Sequence, residues 1–181
     1  APRMPVMTMV VLPDIPTVYM LTGFSSLVGA GILIWLRRDH RESSPALTLF
    51  AAGILALGVG FLSFAAREAI DGWLAPLVGY GGFGVSAALI WLGSRQLYGL
   101  PGLQGRAIVA GVAIAGYLAA LFAIREPTAA KAIARIALNG VVVIAFMGLA
   151  AWEAHRSRWL APLRSVRLIR ALLVLFCAIV A

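Results

Sequence analysis

Two polar residues inside a long apolar stretch are the strongest candidates for chemistry in this sequence. Arg135 and Asn139 are four residues apart and share one face of a helix. They predict a polar pocket for a small anionic or polar ligand. Tyr80 and Tyr117, in two other apolar segments, complete the predicted ligand contacts. The more ordinary alternative is that Asn139 hydrogen-bonds to a neighbouring helix while Arg135 extends to water.

Other reactive side chains are few and poorly placed for catalysis. His40 and His155 lie beside arginines in connecting segments, Lys131 precedes an apolar stretch, and Cys177 is the single cysteine. The sequence has no nucleophile–base set, no paired carboxylates inside an apolar segment and no metal-ligand spacing. We therefore predict no catalytic residue, no metal site and no cofactor in this chain.

Glycine and alanine follow a helical spacing in two places, and glycines cluster in a third. Small residues four apart let helices approach closely in lipid, so the ordinary interpretation is helix packing, and a homodimer interface is the alternative. The cluster from Gly79 to Gly84 could also kink its helix. The two regular series are Ala52, Ala56 and Gly60, and Gly111, Ala115 and Ala119.

The composition is that of an integral membrane protein. Of 181 residues, 62% are hydrophobic and 12% are charged, and the mean hydropathy is +0.96. Soluble domains carry about 25% charged residues. These values exclude a cytosolic enzyme, a nucleic-acid-binding domain and a secreted disulfide-rich protein. The net charge of +8 is therefore interpreted first as an orientation signal and not as a nucleic-acid site.

Five stretches are long and apolar enough to cross a bilayer, which takes about 20 helical residues. A sixth apolar run begins near Leu168 and continues to Ala181, so we expect that span to be truncated. The predicted fold class is all-α, a polytopic transmembrane bundle over residues 17–181 that follows an extracytoplasmic lead-in over residues 1–16. The predicted full spans are Thr17–Leu36, Ala46–Ala66, Leu74–Gly93, Ala107–Ile124 and Ile136–Trp152.

The basic residues predict that the N-terminus lies outside the membrane. Cytoplasmic loops are enriched in Lys and Arg, and ten of the cations fall on one side of these spans against five on the other. Trp35, Trp91 and Trp152 mark the inner ends of spans, and Trp73 marks an outer end. The ten are Arg37, Arg38, Arg41, Arg95, Arg106, Arg156, Arg158, Arg164, Arg167 and Arg170, and the five are Arg3, Arg67, Arg125, Lys131 and Arg135.

The ends of the first three spans carry a resemblance to a known family. The first span follows Asp14-Ile15-Pro16-Thr17 and ends Trp35-Leu36-Arg37-Arg38, and the second ends Phe64-Ala65-Ala66-Arg67. The third ends Trp91-Leu92-Gly93-Ser94-Arg95-Gln96-Leu97-Tyr98-Gly99. Together they resemble the multi-pass N-terminal sensor region that precedes the cytoplasmic GGDEF domain of many bacterial diguanylate cyclases. The chain itself has no Gly-Gly-Asp/Glu-Glu-Phe sequence.

The resemblance implies a sensory input domain of a dimeric signalling protein in the bacterial inner membrane. Such a domain responds to an unknown small-molecule or membrane signal and controls cyclic-di-GMP synthesis. Its cytoplasmic output requires an odd number of spans, so at least one more span is expected after the sixth. The resemblance carries over no catalytic residue, and any enzyme activity would belong to the parent protein. Two alternatives are a small transporter or channel subunit and a structural subunit of a membrane complex.

Overall fold

The computed structural model describes residues 14–38, 44–70, 72–126 and 128–156, which form five α-helices and no strand. All five helices are long and apolar enough to cross a membrane, which confirms the all-α class and indicates a multi-pass membrane protein. The predicted sixth span, His40 and Cys177 lie outside the described residues. The helices are α1 (Ile15–Leu36), α2 (Ser44–Ala65), α3 (Leu74–Leu97), α4 (Leu103–Ala123) and α5 (Ala129–Arg156).

All five helices extend beyond the spans that hydropathy predicted, and in α3, α4 and α5 the extension takes in charged residues. The third continues from the expected end at Gly93 to Leu97, which places Arg95 inside the helix. The fifth begins at Ala129 rather than near Ile136, so Lys131 and Arg135 lie in its first two turns. The hydropathy of a segment marks only its part within the hydrocarbon, whereas a helix continues until its backbone hydrogen bonds end.

Local sequence explains where two helices begin. Asp14 accepts a hydrogen bond from the Thr17 backbone N–H at 3.4 Å, and Pro16 occupies the first turn of α1. These are common features of a helix N-terminus. The turn between α3 and α4 uses Gly99 (φ +62°) and Gly102 (φ +77°), where residues with a side chain would be strained.

α3 is the central helix of the described bundle. It packs most extensively on α2, contacts both α5 and α4, and has half of its apolar window buried. α1 packs on the other side of α2, while α4 and α5 touch each other only slightly. The main core cluster joins α3, α4 and α5 through large and small apolar residues, which are Ala87, Ala88, Ile90, Trp91, Leu92, Ala110, Val143, Phe146, Met147 and Ala150.

The glycines of α3 serve close packing, and α3 runs without a break from Leu74 to Leu97. The glycine cluster therefore does not interrupt the helix. A Cβ added at Gly82 would lie 2.6 Å from the Ala56 carbonyl oxygen, and one added at Gly60 would lie 2.8 Å from the Gly79 carbonyl oxygen. Because backbone lies on both sides of this contact, α2 and α3 approach each other only if these positions carry no side chain.

One tryptophan prediction is wrong. Trp91 is 2% exposed, and its ring packs against Phe146 with centroids 5.6 Å apart. It therefore belongs to the core and not to a membrane-interface belt. Trp35 and Trp152 are exposed, as a belt position requires. The spacing of tryptophans along the chain does not reveal which side of the helix faces the bundle.

Candidate functional site

A polar cluster joins α3, α4 and α5 within the bundle. The hydroxyl oxygen of Tyr117 lies 2.7 Å from Asn139 Oδ1 and 2.9 Å from the backbone carbonyl oxygen of Tyr80. Tyr117 is only 3% exposed, and Asn139 is partly buried. The fold therefore brings together three of the four predicted site residues, and the two hydrogen bonds span 37 and 22 positions of the chain.

The hydrogen bonds of this cluster can all be satisfied at once. A tyrosine hydroxyl donates one proton, so it cannot donate to both oxygens together. When the Asn139 amide is rotated by 180°, which leaves its shape almost unchanged, its N–H donates to Tyr117 and the Tyr117 hydroxyl donates to the Tyr80 carbonyl. Tyr80 takes part through its backbone carbonyl, and its ring meets the ring of Phe64 edge-on with centroids 5.0 Å apart.

Arg135 makes hydrogen bonds that the sequence did not predict. Its guanidinium donates to the carbonyl oxygens of Ile124 at 3.1 Å and Arg125 at 3.4 Å, and a third, longer contact at 3.5 Å reaches that of Glu126. These carbonyls lie at the C-terminal end of α4, where they have no partner within the helix. Arg135 therefore ties the end of α4 to α5, a contact that neither the ligand-binding nor the solvent-exposed alternative anticipated.

A cleft opens beside Arg135, between the first turns of α3 and the last turn of α4. We refer to it as the Arg125 cleft. Its volume is about 220 Å³, including space open to solvent, and its lining is apolar except for two guanidinium groups. A wider groove of about 630 Å³ adjoins it and shares Trp73 and Arg125. The residues that line the cleft are Trp73, Pro76, Leu77, Leu121, Phe122, Arg125 and Arg135.

Aromatic contacts fix the mouth of the cleft. Trp73 and Phe122 meet edge-on with ring centroids 5.8 Å apart, and the guanidinium carbon of Arg125 lies 4.7 Å from the centre of the Phe122 ring. The second distance is within the range of a cation–π contact. Arg125 is exposed and forms no ion pair within the described ranges.

The acidic residue beside the cleft is already paired. Glu126 accepts a hydrogen bond from the Lys131 ammonium, and this bond is the main reason that the pKa of the Glu126 carboxyl is lowered from its usual value of 4.5. The folded chain thus favours the ionised carboxylate. The Glu126–Lys131 pair therefore contributes to the stability of the fold above the usual pKa of a glutamate. This contribution is lost as the pH falls through the lowered pKa of Glu126. At neutral pH, Glu126 and Lys131 largely cancel, and Arg125 dominates the charge of the groove.

A buried ion pair lies at the opposite end of the bundle. Arg95 of α3 forms an ion pair with Glu153 of α5, and its second terminal nitrogen donates to the Pro101 carbonyl at 2.7 Å. Both charged residues are 8% exposed. The Arg95 Nε and Glu153 Oε2 atoms have no hydrogen-bond partner in the part of the chain that the structure describes. The pair therefore ties the ends of α3 and α5 to the α3–α4 turn.

The sequence did not predict this pair. Arg95 counted as a loop cation because hydropathy ended the third span at Gly93. The sequence does place one acid and one base at the same end of two helices. Whether two side chains 58 positions apart meet depends on the rotation of each helix about its axis, which the sequence does not give.

The described residues contain no group of His, Cys, Asp or Glu side chains that could hold a metal ion. Comparison with protein-family models, curated proteins and solved structures finds no match to this chain. The resemblance to sensor regions of diguanylate cyclases therefore stays a prediction from the sequence. The assignment of Asn139, Arg135, Tyr80 and Tyr117 as ligand contacts also stays a prediction.

Proposed function

We propose that this chain is the membrane-embedded sensory input domain of a dimeric bacterial signalling protein. Its output is a cytoplasmic diguanylate cyclase encoded beyond Ala181, and its membrane is the bacterial inner membrane. The N-terminus lies outside, a sixth span begins near Leu168, and at least one further span leads to the output domain. The basic-residue count supports this orientation, and the span-end sequences support the choice of output.

One observation carries the proposal: α5 connects the Arg125 cleft and the Tyr117–Asn139 hydrogen bond at one end to the Arg95–Glu153 ion pair at the other. Arg135 and Asn139 lie toward its N-terminal end, and Glu153 lies in its last turn. The helix has 28 residues, which corresponds to a length of about 42 Å. A continuous helix of this length moves nearly as a unit. Displacement at the Arg125 cleft therefore acts on the Arg95–Glu153 pair, from which the chain continues toward the proposed output domain.

The contact between α4 and α5 is suited to change. These helices share few contacts, and their main polar links are the Tyr117–Asn139 hydrogen bond and the Arg135 cap on α4. A single interhelical hydrogen bond contributes roughly 0.6–2 kcal/mol in a membrane, so making or breaking it shifts a two-state population by about 3- to 30-fold. A ligand drives that shift only if it binds the two arrangements with different affinity.

A homodimer is part of the proposal because GGDEF-type outputs are expected to act in pairs. Gly111, Ala115 and Ala119 lie exposed along α4, and nothing within the described chain approaches Gly111 within 4 Å of an added Cβ. In lipid, a second helix packs closely against such a face.

The first test reads the coding sequence beyond codon 181 and then measures cyclic-di-GMP formation by the full-length protein in membranes. Asn139→Leu breaks the bond between α4 and α5, so we expect its output to change by about 3-fold or more in either direction. Tyr117→Phe is expected to change output in the same direction, and the double variant should add little. Val141→Leu is the matched control, because Val141 is a lipid-facing residue on the same helix and is 67% exposed.

Two results would overturn the proposal. One is a coding sequence without a cytoplasmic output domain, which favours the transporter or structural-subunit alternatives. The other is an output that Asn139→Leu and Tyr117→Phe leave unchanged while both proteins insert and fold normally. Helical circular dichroism and membrane yield, measured beside Val141→Leu, separate a signalling effect from a folding failure.

A further inference from the structure

The Arg125 cleft combines two aromatic rings and an exposed arginine at one end of the helix bundle. Trp73 has an amphipathic ring of the kind that is enriched at a membrane–water boundary, and the apolar ring of Phe122 lies beside it. Arg125 is exposed, stacked on one ring and without an ion-pair partner among the described residues. The cleft and its groove therefore present one oriented cation next to an apolar wall that continues into the lipid-facing surface.

The charges around the groove leave a net attraction for anions. Glu126 lines it, but its carboxylate is paired with Lys131. Arg135 donates to the carbonyls that end α4, which fixes its guanidinium at the inner wall of the cleft. A guanidinium presents several N–H groups in one plane and suits the oxygens of a phosphate. Arg125 is the group free to do so.

The shape of the site suits one part of an amphiphile. The cleft is narrow and lies between the rings of Trp73 and Phe122, so it does not enclose a ligand. The groove beside it is open on one side and carries the Arg125 guanidinium. A headgroup fits in the groove while its acyl chains remain in the bilayer along the exposed side chains of Phe122 and Val78.

We propose that the Arg125 cleft and its groove bind the phosphate headgroup of an anionic phospholipid, with Arg125 as the phosphate contact and Trp73 and Phe122 as the wall against which the upper acyl chain packs. This lipid would be the signal that the proposed sensory domain detects, and only its role as a signal rests on the proposed function. Lipid binding is measured without any output domain, so binding can fail while signalling persists, and signalling can fail while binding persists.

The test measures lipid selectivity at Trp73. The protein is reconstituted in nanodiscs of phosphatidylcholine that contain increasing fractions of brominated phosphatidylglycerol or, in a parallel series, brominated phosphatidylcholine. Bromine quenches nearby tryptophans, and the quenching that is present in the native chain but absent in Trp73→Phe isolates Trp73 from the other tryptophans. We expect brominated phosphatidylglycerol to quench Trp73 at a mole fraction about 5-fold lower than brominated phosphatidylcholine does. One arginine near an anionic membrane surface contributes about 1 kcal/mol, which corresponds to this factor.

Arg125→Gln should abolish the preference. Arg106→Gln is the matched control, because Arg106 is an exposed arginine at the other end of α4 and the substitution makes the same change in net charge. The proposal is overturned if the two lipids quench equally, or if Arg106→Gln lowers the preference as much as Arg125→Gln does. A free anion is distinguished by adding inorganic phosphate: if millimolar phosphate removes the preference, the site binds soluble phosphate and the lipid assignment is wrong.

Discussion

At the scale of single residues, the Arg95–Glu153 pair is the feature with the largest expected energetic consequence. Both side chains are about nine-tenths buried, so neither charge is well solvated. The guanidinium is held by Glu153 and by the Pro101 carbonyl, while Arg95 Nε and Glu153 Oε2 gain no hydrogen bond from the described chain. Breaking a buried pair is costly mainly because it leaves the other charge without a partner.

Glu153→Leu should therefore lower stability strongly, by about 3–5 kcal/mol. The double variant Arg95→Met, Glu153→Leu should recover most of that loss, because an apolar pair of similar volume often packs as well as a buried ion pair. Recovery stays incomplete, since the Pro101 carbonyl loses its donor. Equilibrium unfolding in mixed micelles, titrated with dodecyl sulfate, measures all three proteins.

The exposed Glu126–Lys131 pair supplies the control for this comparison. Lys131→Met removes the cation of a solvated pair, and such pairs contribute little, so its unfolding curve should stay close to that of the native chain. If the double variant is as unstable as Glu153→Leu, the loss comes from disrupted packing at the end of α5 and not from an uncompensated charge.

At the scale of helices, the contact between α2 and α3 depends on positions that carry no side chain. An added Cβ at Gly82 would meet the Ala56 carbonyl oxygen at 2.6 Å and the Gly60 Cα at 3.1 Å. Both neighbours are backbone atoms, so relief requires the helices to move apart. Gly82→Ala should then destabilise the protein by about 1–3 kcal/mol, the usual cost of overpacking.

Gly116→Ala tests whether this loss reflects packing and not glycine chemistry. Nothing lies within 4 Å of a Cβ added at Gly116, and alanine is favoured over glycine in a helix by up to about 1 kcal/mol. This variant should be neutral or slightly more stable in the same unfolding titration. Similar losses in both variants would show that close approach of α2 and α3 does not explain the effect.

The sequence predicts the helices better than it predicts their partners. Runs of apolar residues located all five spans, because crossing a bilayer demands both length and hydrophobicity. They failed at helix ends such as Leu97 and Ala129, which lie outside the apolar runs. They also failed for Trp91, whose buried position depends on the rotation of α3 about its axis.

For the candidate site, too, the sequence predicted individual residues better than the contacts between them. Asn139 stands out in the sequence as a polar residue in an apolar helix, and an interhelical hydrogen bond was one of its two interpretations. Tyr117 was also a candidate, but it is 22 positions away, and nothing in the sequence indicates that the two side chains bond to each other. Arg135 was visible as a cation, but its role as the cap of α4 depends on the turn that brings the two helix ends together.

At the scale of the whole molecule, the two polar ends of the bundle have different constructions. The end with the Arg125 cleft has an exposed arginine and an exposed ion pair, whereas the other end is closed by a buried ion pair. In the proposed orientation, with the N-terminus outside, five crossings would place the cleft outside and the end of α5 in the cytoplasm. Orientation therefore decides which end meets a signal and which end meets an output domain.

Cysteine labelling in spheroplasts measures that orientation directly. In a Cys177→Ser background, Glu68→Cys places a thiol in the turn after α2 and Gln104→Cys places one at the start of α4; both positions are exposed. A membrane-impermeant maleimide should label the first in intact spheroplasts and the second only after permeabilisation, because consecutive connections lie on opposite sides. The reverse pattern would put the Arg125 cleft in the cytoplasm and the buried pair outside. A signal from outside would then reach the closed end first, which contradicts the proposed direction of transmission along α5.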